Sequence, residues 1–163
     1  MKVAIIMGSD SDWGKMEAAE QELVKAGVEV DVLVASAHRT PNLVHEFVAN
    51  ARANGIEVII AAAGAAAHLP GVVSAFTTIP VIGVPINATG LGGMDALLSI
   101  AQMPSGIPVA TMAIDGAKNA GLYAVQMLSV KYPQLVDYMT KYRANMEQEV
   151  LAKGARLKEK RGK

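Results

Sequence analysis

Short apolar runs alternate with longer amphipathic stretches along this chain. The apolar runs predict strands at residues 2–7, 29–34, 57–62, 80–84 and 107–111. The stretches between them repeat apolar residues every three or four positions, and they predict helices at about 12–26, 41–53, 71–78 and 93–102. Strands that alternate with helices in this way indicate a parallel sheet with helices on both faces. The pattern therefore predicts an α/β fold.

Three residues mark the ends of the first two predicted helices. Asp12 is placed to cap the start of the first helix, and Gly27 is placed just after its end. Pro41 fits the first position of the second helix. The apolar face of that second helix comprises Leu43, Val44, Phe47, Val48 and Ala51.

The last third of the chain predicts two more helices, at about 117–131 and 134–153. The second carries an apolar stripe of Leu135, Met139, Tyr142, Met146 and Val150. Two interpretations of this stripe have equal support: it packs on its own domain, or it packs on another subunit. From about 154 to 163 the chain is basic, and we expect a frayed tail. With no repeat or linker in the sequence, residues 1–163 predict a single domain.

Composition narrows the class of protein. Of 163 residues, 52% are hydrophobic and only 4% aromatic, which suits a covered sheet with apolar surface left for subunit contacts. Lys and Arg equal Asp and Glu at 15 each, so charge gives no reason to expect a nucleic-acid partner. The absence of cysteine excludes disulfides and thiolate catalysis.

Hydropathy gives no reason to expect a membrane. The longest apolar run, Val58 to Ala67, is ten residues and too short to span a bilayer. The opening M-K-V-A-I-I-M-G fits a first strand better than a signal peptide. We therefore expect a cytoplasmic protein.

Polar and glycine-rich segments follow the first four predicted strands. They are G-S-D-S-D-W at 8–13, S-A-H-R-T-P at 36–41, A-A-G-A-A-A-H-L-P-G at 62–71 and P-I-N-A-T-G-L-G-G-M-D at 85–95. Open parallel sheets bind ligands beyond the carboxyl ends of their strands. The sequence therefore predicts a site where these segments meet.

The first segment offers hydroxyl groups ahead of a helix. Ser9 and Ser11 precede the helix N-terminus, where N–H groups and the helix dipole favour an anion. Asp12 is suited to accept hydrogen bonds from sugar hydroxyls. An alternative stays open, in which Ser11 and Asp12 only cap the helix.

The second segment combines a cation with a titratable ring. The planar guanidinium of Arg39 suits a phosphate, and Ser36 can add a hydrogen bond. His38 can take and give a proton near neutral pH. A lone histidine is more often structural, but its place beside Arg39 at a strand end favours function. His45, on the polar side of the next helix, is interpreted as solvated surface.

The third segment is rich in small residues. Gly64 and Ala66 let a ligand approach the backbone closely, and His68 with Leu69 would form one wall of a tight apolar pocket. Alternatively the segment is a packing turn in which His68 bonds a backbone carbonyl, and both interpretations can hold.

Two other motifs are excluded. The segment G-L-G-G-M-D lacks the third glycine of a dinucleotide-binding fingerprint, and the three histidines lack the H-E-x-x-H spacing of a zinc site.

Six motifs in order carry a resemblance to a known family. They are G-S-x-S-D-W, S-A-H-R-T-P, A-A-H-L-P-G, P-V-I-G-V-P, G-M-D-x-L-L-S-I-x-Q-M-P and G-I-P-V-x-T. Over about residues 2–150 the chain resembles the 5-(carboxyamino)imidazole ribonucleotide mutases, the class I catalytic-subunit type of phosphoribosylaminoimidazole carboxylase.

The resemblance implies a fold and an activity. It implies a three-layer α/β/α sandwich with a flavodoxin-like parallel sheet, assembled as a homo-octamer. The activity belongs to de novo purine synthesis and moves a carboxyl group from an exocyclic nitrogen to a ring carbon of a nucleotide, with neither metal nor organic cofactor. By motif, Ser9, Asp12 and Arg39 match substrate-binding residues, His38 the catalytic histidine and His68 a second active-site histidine.

The residue chemistry is compatible with this reaction. A carbamate loses carbon dioxide more easily where its carboxylate is poorly hydrated, and the alanine-rich segment around His68 predicts such a dry pocket. His38 would carry one proton between nitrogen and carbon, while Arg39 and Ser9 hold the phosphate. Two alternatives are direct carboxylation by carbon dioxide and a non-catalytic module that binds a flavin or nucleotide. The A-A-H-L-P-G form favours the mutase, and the low aromatic content argues weakly against a flavin.

This chain departs from the family pattern at a few positions. Ala62 and Ala65 stand where the family usually has glycine, and Ala96 stands where it has serine. Ala88 and Thr89 stand where serine and lysine are frequent. We expect the methyl groups at 62 and 65 to narrow the pocket and the loop at 87–93 to close differently.

Overall fold

A single parallel sheet forms the centre of the molecule. The computed structural model describes residues 1–162, and its strands are β1 (Lys2–Met7), β2 (Glu29–Val34), β3 (Val58–Gly64), β4 (Val81–Ile86) and β5 (Ala110–Thr111). They lie side by side in the order β2-β1-β3-β4-β5, and every pair is parallel. This is the flavodoxin-like strand order, and the predicted fold class is confirmed.

Helices cover both faces of the sheet. After a 3₁₀ turn at Asp10–Asp12 they are α1 (Trp13–Lys25), α2 (Pro41–Ala51), α3 (Leu69–Ala75), α4 (Met94–Ala101), α5 (Ala117–Ser129) and α6 (Gln134–Lys160). Helices α1 and α5 pack on one face, and α2, α3 and α4 pack on the other. Successive side chains of a strand point to opposite faces of the sheet. Ile5 and Ile60 therefore lie in the first core, and Ile6 and Ile59 lie in the second. The result is three layers.

The predicted element boundaries hold to within two residues with three exceptions, β5, α3 and α6. Strand β5 is only Ala110–Thr111, shorter than the predicted 107–111, because Pro108 has no N–H to give to a ladder. Helix α3 begins at Leu69, two positions before the prediction, since the fixed φ of Pro70 suits a first helical turn. Gly27 follows α1 with a φ of 75°, and Pro41 is the first residue of α2, as predicted.

The prediction of a frayed tail after Gly154 is wrong. Helix α6 continues to Lys160 as a regular helix. The segment A-R-L-K-E-K consists of good helix formers, and a single glycine within a long helix costs only about 1 kcal/mol. Lys158 and Lys160 also place positive charge at the helix C-terminus, where the dipole favours it. The final residue, 163, lies outside the described residues.

The apolar stripe of α6 divides into two halves. Leu135 is buried, and Met139 and Tyr142 are half-buried against the domain. Met146 and Val150 are 52% and 66% exposed. The first half therefore packs on its own domain, while the second half is mostly exposed among residues 1–162. Across residues 1–162, none of the helices has the length and apolar content needed to cross a bilayer.

Candidate active site

The carboxyl ends of β1, β2 and β3 lie at one edge of the sheet, with β3 extending two residues beyond the other two, and the loops that follow them enclose a cavity. Met7 of β1 is in register with Val34 of β2 and with Ala62 of β3. The cavity has a volume of about 440 Å³ and lies at the point where the strand order switches direction. Its lining includes these predicted site residues: Ser9, Ser11, Asp12, Ser36, His38, Arg39, Gly64, Ala66 and Leu69. The sheet edge therefore brings the predicted residues together.

The loop after β1 is organised by a serine. The Ser9 hydroxyl oxygen accepts from the Ser11 hydroxyl at 2.8 Å and from the Ser11 backbone N–H at 3.3 Å. Asp12 stands at the start of α1, but its carboxylate makes no capping bond, so the predicted capping role is wrong. The 3₁₀ turn inserted before α1 moves that role three residues back, to Ser9.

Asp12 is a buried carboxylate with little compensation from the protein. It is 8% exposed, and its one hydroxyl donor, Ser11, lies 3.5 Å away. Burial raises the pKa of Asp12, and this effect outweighs the lowering by Ser11 and by the ammonium of Lys15. A carboxylate in this condition gains from any ligand that donates hydrogen bonds to it.

The loop after β2 is a tight turn closed by hydroxyl groups. Thr40 Oγ1 accepts from the Ser36 N–H at 2.8 Å, and the Thr40 N–H donates to the Ser36 carbonyl at 2.9 Å. The Ser36 hydroxyl oxygen in turn accepts from the N–H groups of His38 and Arg39, at 3.3 and 3.2 Å. Thr40 was not among the predicted site residues, although serine and threonine hydroxyls that bond the nearby backbone are a known turn signal.

Arg39 joins the first two loops. One of its terminal nitrogens, Nη2, donates to the Gly8 carbonyl at 2.9 Å. A guanidinium has five N–H donors, and this bond uses one of them. The side chain is therefore oriented at the cavity with donors left for an anion.

The loops after β2 and β3 meet at two histidines. His38 Nε2 lies 2.8 Å from His68 Nδ1, and the rings are nearly perpendicular, with an angle of 78° between their planes. His68 thus bonds another imidazole rather than the backbone carbonyl of the alternative interpretation. One nitrogen of such a pair must donate and the other must accept, so the two rings share a single proton at this contact.

Small residues build the third wall and bring a fourth loop to the cavity. A Cβ added to Gly64 would lie 2.6 Å from the Cβ of Ala88, so glycine is what admits the loop after β4. Ala65 has a φ of 53°, in the left-handed region that costs a residue with a Cβ about 1–2 kcal/mol. Leu69 closes the floor and is 2% exposed.

The cavity is open to solvent in the single chain. His38, Arg39, Ala65, Ala66 and His68 are all exposed. The predicted dry pocket is therefore not formed by these loops alone, because the helices cover the faces of the sheet and not the edge where the loops emerge.

Comparison with known proteins assigns the family. The family model described as AIR carboxylase matches residues 2–149. This chain belongs to the AIR carboxylase family. A relative from Pyrococcus abyssi is 58% identical over 146 residues, covering 90% of this chain and 84% of the relative. A relative from Thermotoga maritima is 50% identical over 158 residues, covering 97% and 92%. Both are named N5-carboxyaminoimidazole ribonucleotide mutase.

A solved structure agrees with the fold. The crystal structure of Treponema denticola PurE superposes with a TM-score of 0.88 at 30% sequence identity, covering 96% of this chain and 98% of that one. The resemblance noted in the sequence is thus confirmed. Membership of the AIR carboxylase family also favours an enzyme over the non-catalytic flavodoxin-like module.

The departures from the family pattern fall into different environments. Ala62 is fully buried in the core, so the expectation that its methyl group narrows the pocket is wrong. Ala96 is likewise buried, on the inner face of α4. Ala65 and Ala88 line the cavity. Thr89 points its hydroxyl at Asp95, with a bond of 2.8 Å, and thereby stiffens the loop that carries Ala88.

Proposed function

We propose that this chain is an N5-carboxyaminoimidazole ribonucleotide mutase, an isomerase of de novo purine synthesis. Relatives that are 50% and 58% identical carry this name. The observation that carries the proposal is the His38–His68 contact of 2.8 Å beside a cavity with a phosphate-type arginine. A proton-transfer pair next to an anion anchor is what carboxyl migration on a nucleotide requires.

The polar loops would hold the nucleotide. Arg39 and Ser9 bind the phosphate, with Ser11 and Ser36 adding hydroxyl donors. Asp12 accepts hydrogen bonds from the ribose, which relieves the poor solvation of its buried carboxylate. These contacts lie away from the reacting atoms, and their binding energy fixes the base against the histidines.

The small-residue wall would take part in the first chemical step. Gly64, Ala66 and Leu69 surround the carboxylate of the carbamate with apolar groups, which favours its loss as carbon dioxide. The N–C bond breaks, its electron pair stays on the exocyclic nitrogen, and His38 supplies the proton that this nitrogen gains.

The second step returns the proton. The ring carbon attacks the retained carbon dioxide, a C–C bond forms, and the proton lost from that carbon goes back to His38. No net proton is consumed. His68 holds one ring nitrogen of His38 through the 2.8 Å contact and thereby fixes the orientation of the imidazole.

The chain would act in the cytoplasm as a homo-octamer, as its resemblance to the family implies. Two features support assembly: the cavity is open on one side, and Met146 and Val150 of α6 expose apolar surface. Light scattering tests this, with an expected mass of about eight times the chain mass of 17.0 kDa. A monomer at working concentration would contradict it.

Direct carboxylation is the second candidate, because the family model is described as AIR carboxylase. The two are separated by incubating the purified protein with N5-carboxyaminoimidazole ribonucleotide in buffer depleted of carbon dioxide, and separately with aminoimidazole ribonucleotide plus bicarbonate. The mutase forms the 4-carboxy product in the first arm. Product in the second arm only would establish the carboxylase, and product in neither would refute both.

A further inference from the structure

Lys15, Asp115 and the peptide group of Asn87 form a closed ring of hydrogen bonds beside the cavity. Lys15 Nζ donates to Asp115 Oδ1 at 2.9 Å and to the Asn87 carbonyl at 2.7 Å. The Asn87 N–H donates to the same Asp115 oxygen at 2.9 Å. One ion pair thus satisfies both the N–H and the C=O of a single loop residue. None of the six motifs includes these three residues together.

The ring fixes both ends of the loop at 87–93. Asn87 is the first residue of this loop, and Gly93 ends it with a φ of 83°. A Cβ added to Gly93 would lie 2.6 Å from Ile114 and 3.2 Å from the Asn87 Cα. The end of the loop therefore packs on its beginning and on the residue next to Asp115.

Asp115 is itself held by the sheet. Its N–H donates to the Pro85 carbonyl of β4 at 2.8 Å, and its φ of 55° lies in the left-handed region that aspartate and asparagine tolerate best. Its carboxylate is therefore presented from a fixed backbone. Lys15 comes from the first turn of α1, which follows the predicted phosphate loop.

The loop carries a wall of the cavity. Ala88 follows Asn87 directly, lines the cavity and faces Gly64 so closely that no Cβ fits between them. A shift of the Asn87 peptide moves Ala88 with it, and since Ala88 is already packed against Gly64, we expect the two residues to separate. Such a shift opens a gap in the apolar wall.

We propose that Lys15 and Asp115 are positioning residues that hold Ala88 against Gly64 and so keep the released carbon dioxide in the cavity until it is recaptured. This inference rests on the proposed mutase function. If the wall opens, carbon dioxide leaves after the N–C bond breaks. The nitrogen keeps the proton from His38, which is reprotonated by water, and aminoimidazole ribonucleotide departs instead of the 4-carboxy product.

The experiment compares Lys15→Met with wild type and with a matched control, Lys25→Met, which removes an ammonium from the same helix at the Glu22 ion pair. Two quantities are measured. One is hydrogen exchange of the segment 86–93 in the protein without nucleotide. The other is the fraction of substrate that ends as aminoimidazole ribonucleotide, with the spontaneous rate subtracted.

In Lys15→Met we expect exchange of 86–93 to be about tenfold faster and the side-product fraction to rise severalfold, because a charged hydrogen bond to the loop is lost. Lys25→Met should match wild type in both the exchange rate and the side-product fraction. Lys15→Arg, which keeps the positive charge, should bring both quantities most of the way back to the wild-type values. The Lys15–Asp115 pair is about one-third exposed, so Tm should shift little in Lys15→Met and Lys15→Arg. In Lys25→Met the partner Glu22 is buried, so a lower Tm is expected there without a change in loop exchange or side product. A side-product change without a Tm change separates positioning from general stabilisation.

Asp115→Asn distinguishes loop positioning from a charge effect on Asp12. The Lys15 ammonium and the Asp115 carboxylate act in opposite directions on the Asp12 pKa. Positioning predicts that Lys15→Met and Asp115→Asn raise the side product together, whereas a charge effect predicts opposite changes and would overturn the proposal. Unchanged exchange and unchanged partition in Lys15→Met would also overturn it. Wild-type protein that forms no 4-carboxy product refutes the mutase function instead, and the exchange result still decides whether the ring fixes the loop.

Discussion

Two carboxylates at opposite edges of the sheet differ in the number of hydrogen-bond and ion-pair partners that the protein gives them. Glu57, just before β3, lies 2.8 Å from Lys131 Nζ, 2.8 Å from the Tyr132 hydroxyl and 3.9 Å from the amino group of Met1. Asp12, just after β1, has a single hydroxyl donor at 3.5 Å. Burial pushes the pKa of Glu57 upward, but donation from Lys131 and Tyr132 outweighs it and the pKa is lowered. The pKa of Asp12 is raised by burial.

The difference separates an edge that stabilises the fold from an edge that is available to a ligand. At the amino edge Glu57 has three partners within the chain, and Lys2 pairs with Glu29 and Asp31. At the carboxyl edge a buried carboxylate and a left-handed alanine persist at a cost in stability, beside an exposed imidazole pair. Unfavourable local features of this kind concentrate where function requires them.

The largest effect is expected for His38→Asn at the carboxyl edge. Removing the acid and base should lower the turnover number by about 10²–10⁴-fold while leaving nucleotide affinity nearly unchanged. Steady-state kinetics with calorimetric binding measures both. His45→Asn is the matched control, because His45 lies on α2, contacts Phe76 just after α3 and is outside the cavity. Equal losses in the two variants would contradict the role of His38.

Arg39→Gln should chiefly weaken binding. Loss of a charged hydrogen-bond partner for phosphate is expected to cost about 2–3 kcal/mol of binding free energy. Titration calorimetry with the nucleotide checks this, and Arg52→Gln, which removes a bond to Thr78 on the surface, is the control. An unchanged affinity in Arg39→Gln would remove the phosphate anchor from the proposal.

Glu57→Gln should destabilise the amino edge and leave activity intact. The lowered pKa means that the folded state binds the Glu57 proton less tightly than the unfolded state does. Its contribution, about 1 kcal/mol, is therefore present above the ordinary value of 4.5 and is lost as the pH falls below it. Urea unfolding at neutral and at acidic pH measures the difference in the free energy of unfolding between Glu57→Gln and wild type. This difference should be smaller at acidic pH. A constant difference would contradict this assignment.

Asp12→Asn should have the smallest effect on the free energy of unfolding, and it should stabilise the protein where Glu57→Gln destabilises it. A raised pKa means that the ionised carboxylate costs stability, and that this cost appears as the pH rises above the ordinary value of 3.8. The variant should be more stable by about 0.5–1 kcal/mol at neutral pH, with weaker nucleotide binding. The same unfolding series tests it, and a less stable variant would show that Asp12 is structural.

The sequence predicts the first four strands and the cavity for a simple physical reason. Strands β1, β3 and β4 are buried on both faces and appear as continuous apolar runs, whereas the edge strand β2 begins with alternating charged and apolar residues. Because the strands are parallel, the polar segments after β1, β2 and β3 converge at one edge. Nothing local reveals that Lys15 meets Asp115, which is 100 positions away, because that contact depends on the tertiary packing. The predicted bounds of β5 and α6 were wrong for local reasons. Pro108 shortens β5, because it has no N–H for the ladder, whereas Gly154 does not end α6, because good helix formers surround it.

Strands β3 and β4 are apolar along their length. All the hydroxyl-bearing and charged side chains of the cavity come from the loops after β1 and β2. Scaffold and reactivity are therefore encoded in separate stretches of sequence. Recombining loops among homologues, or selecting libraries restricted to 8–12 and 36–40, could explore new ligands without disturbing the interior that drives folding.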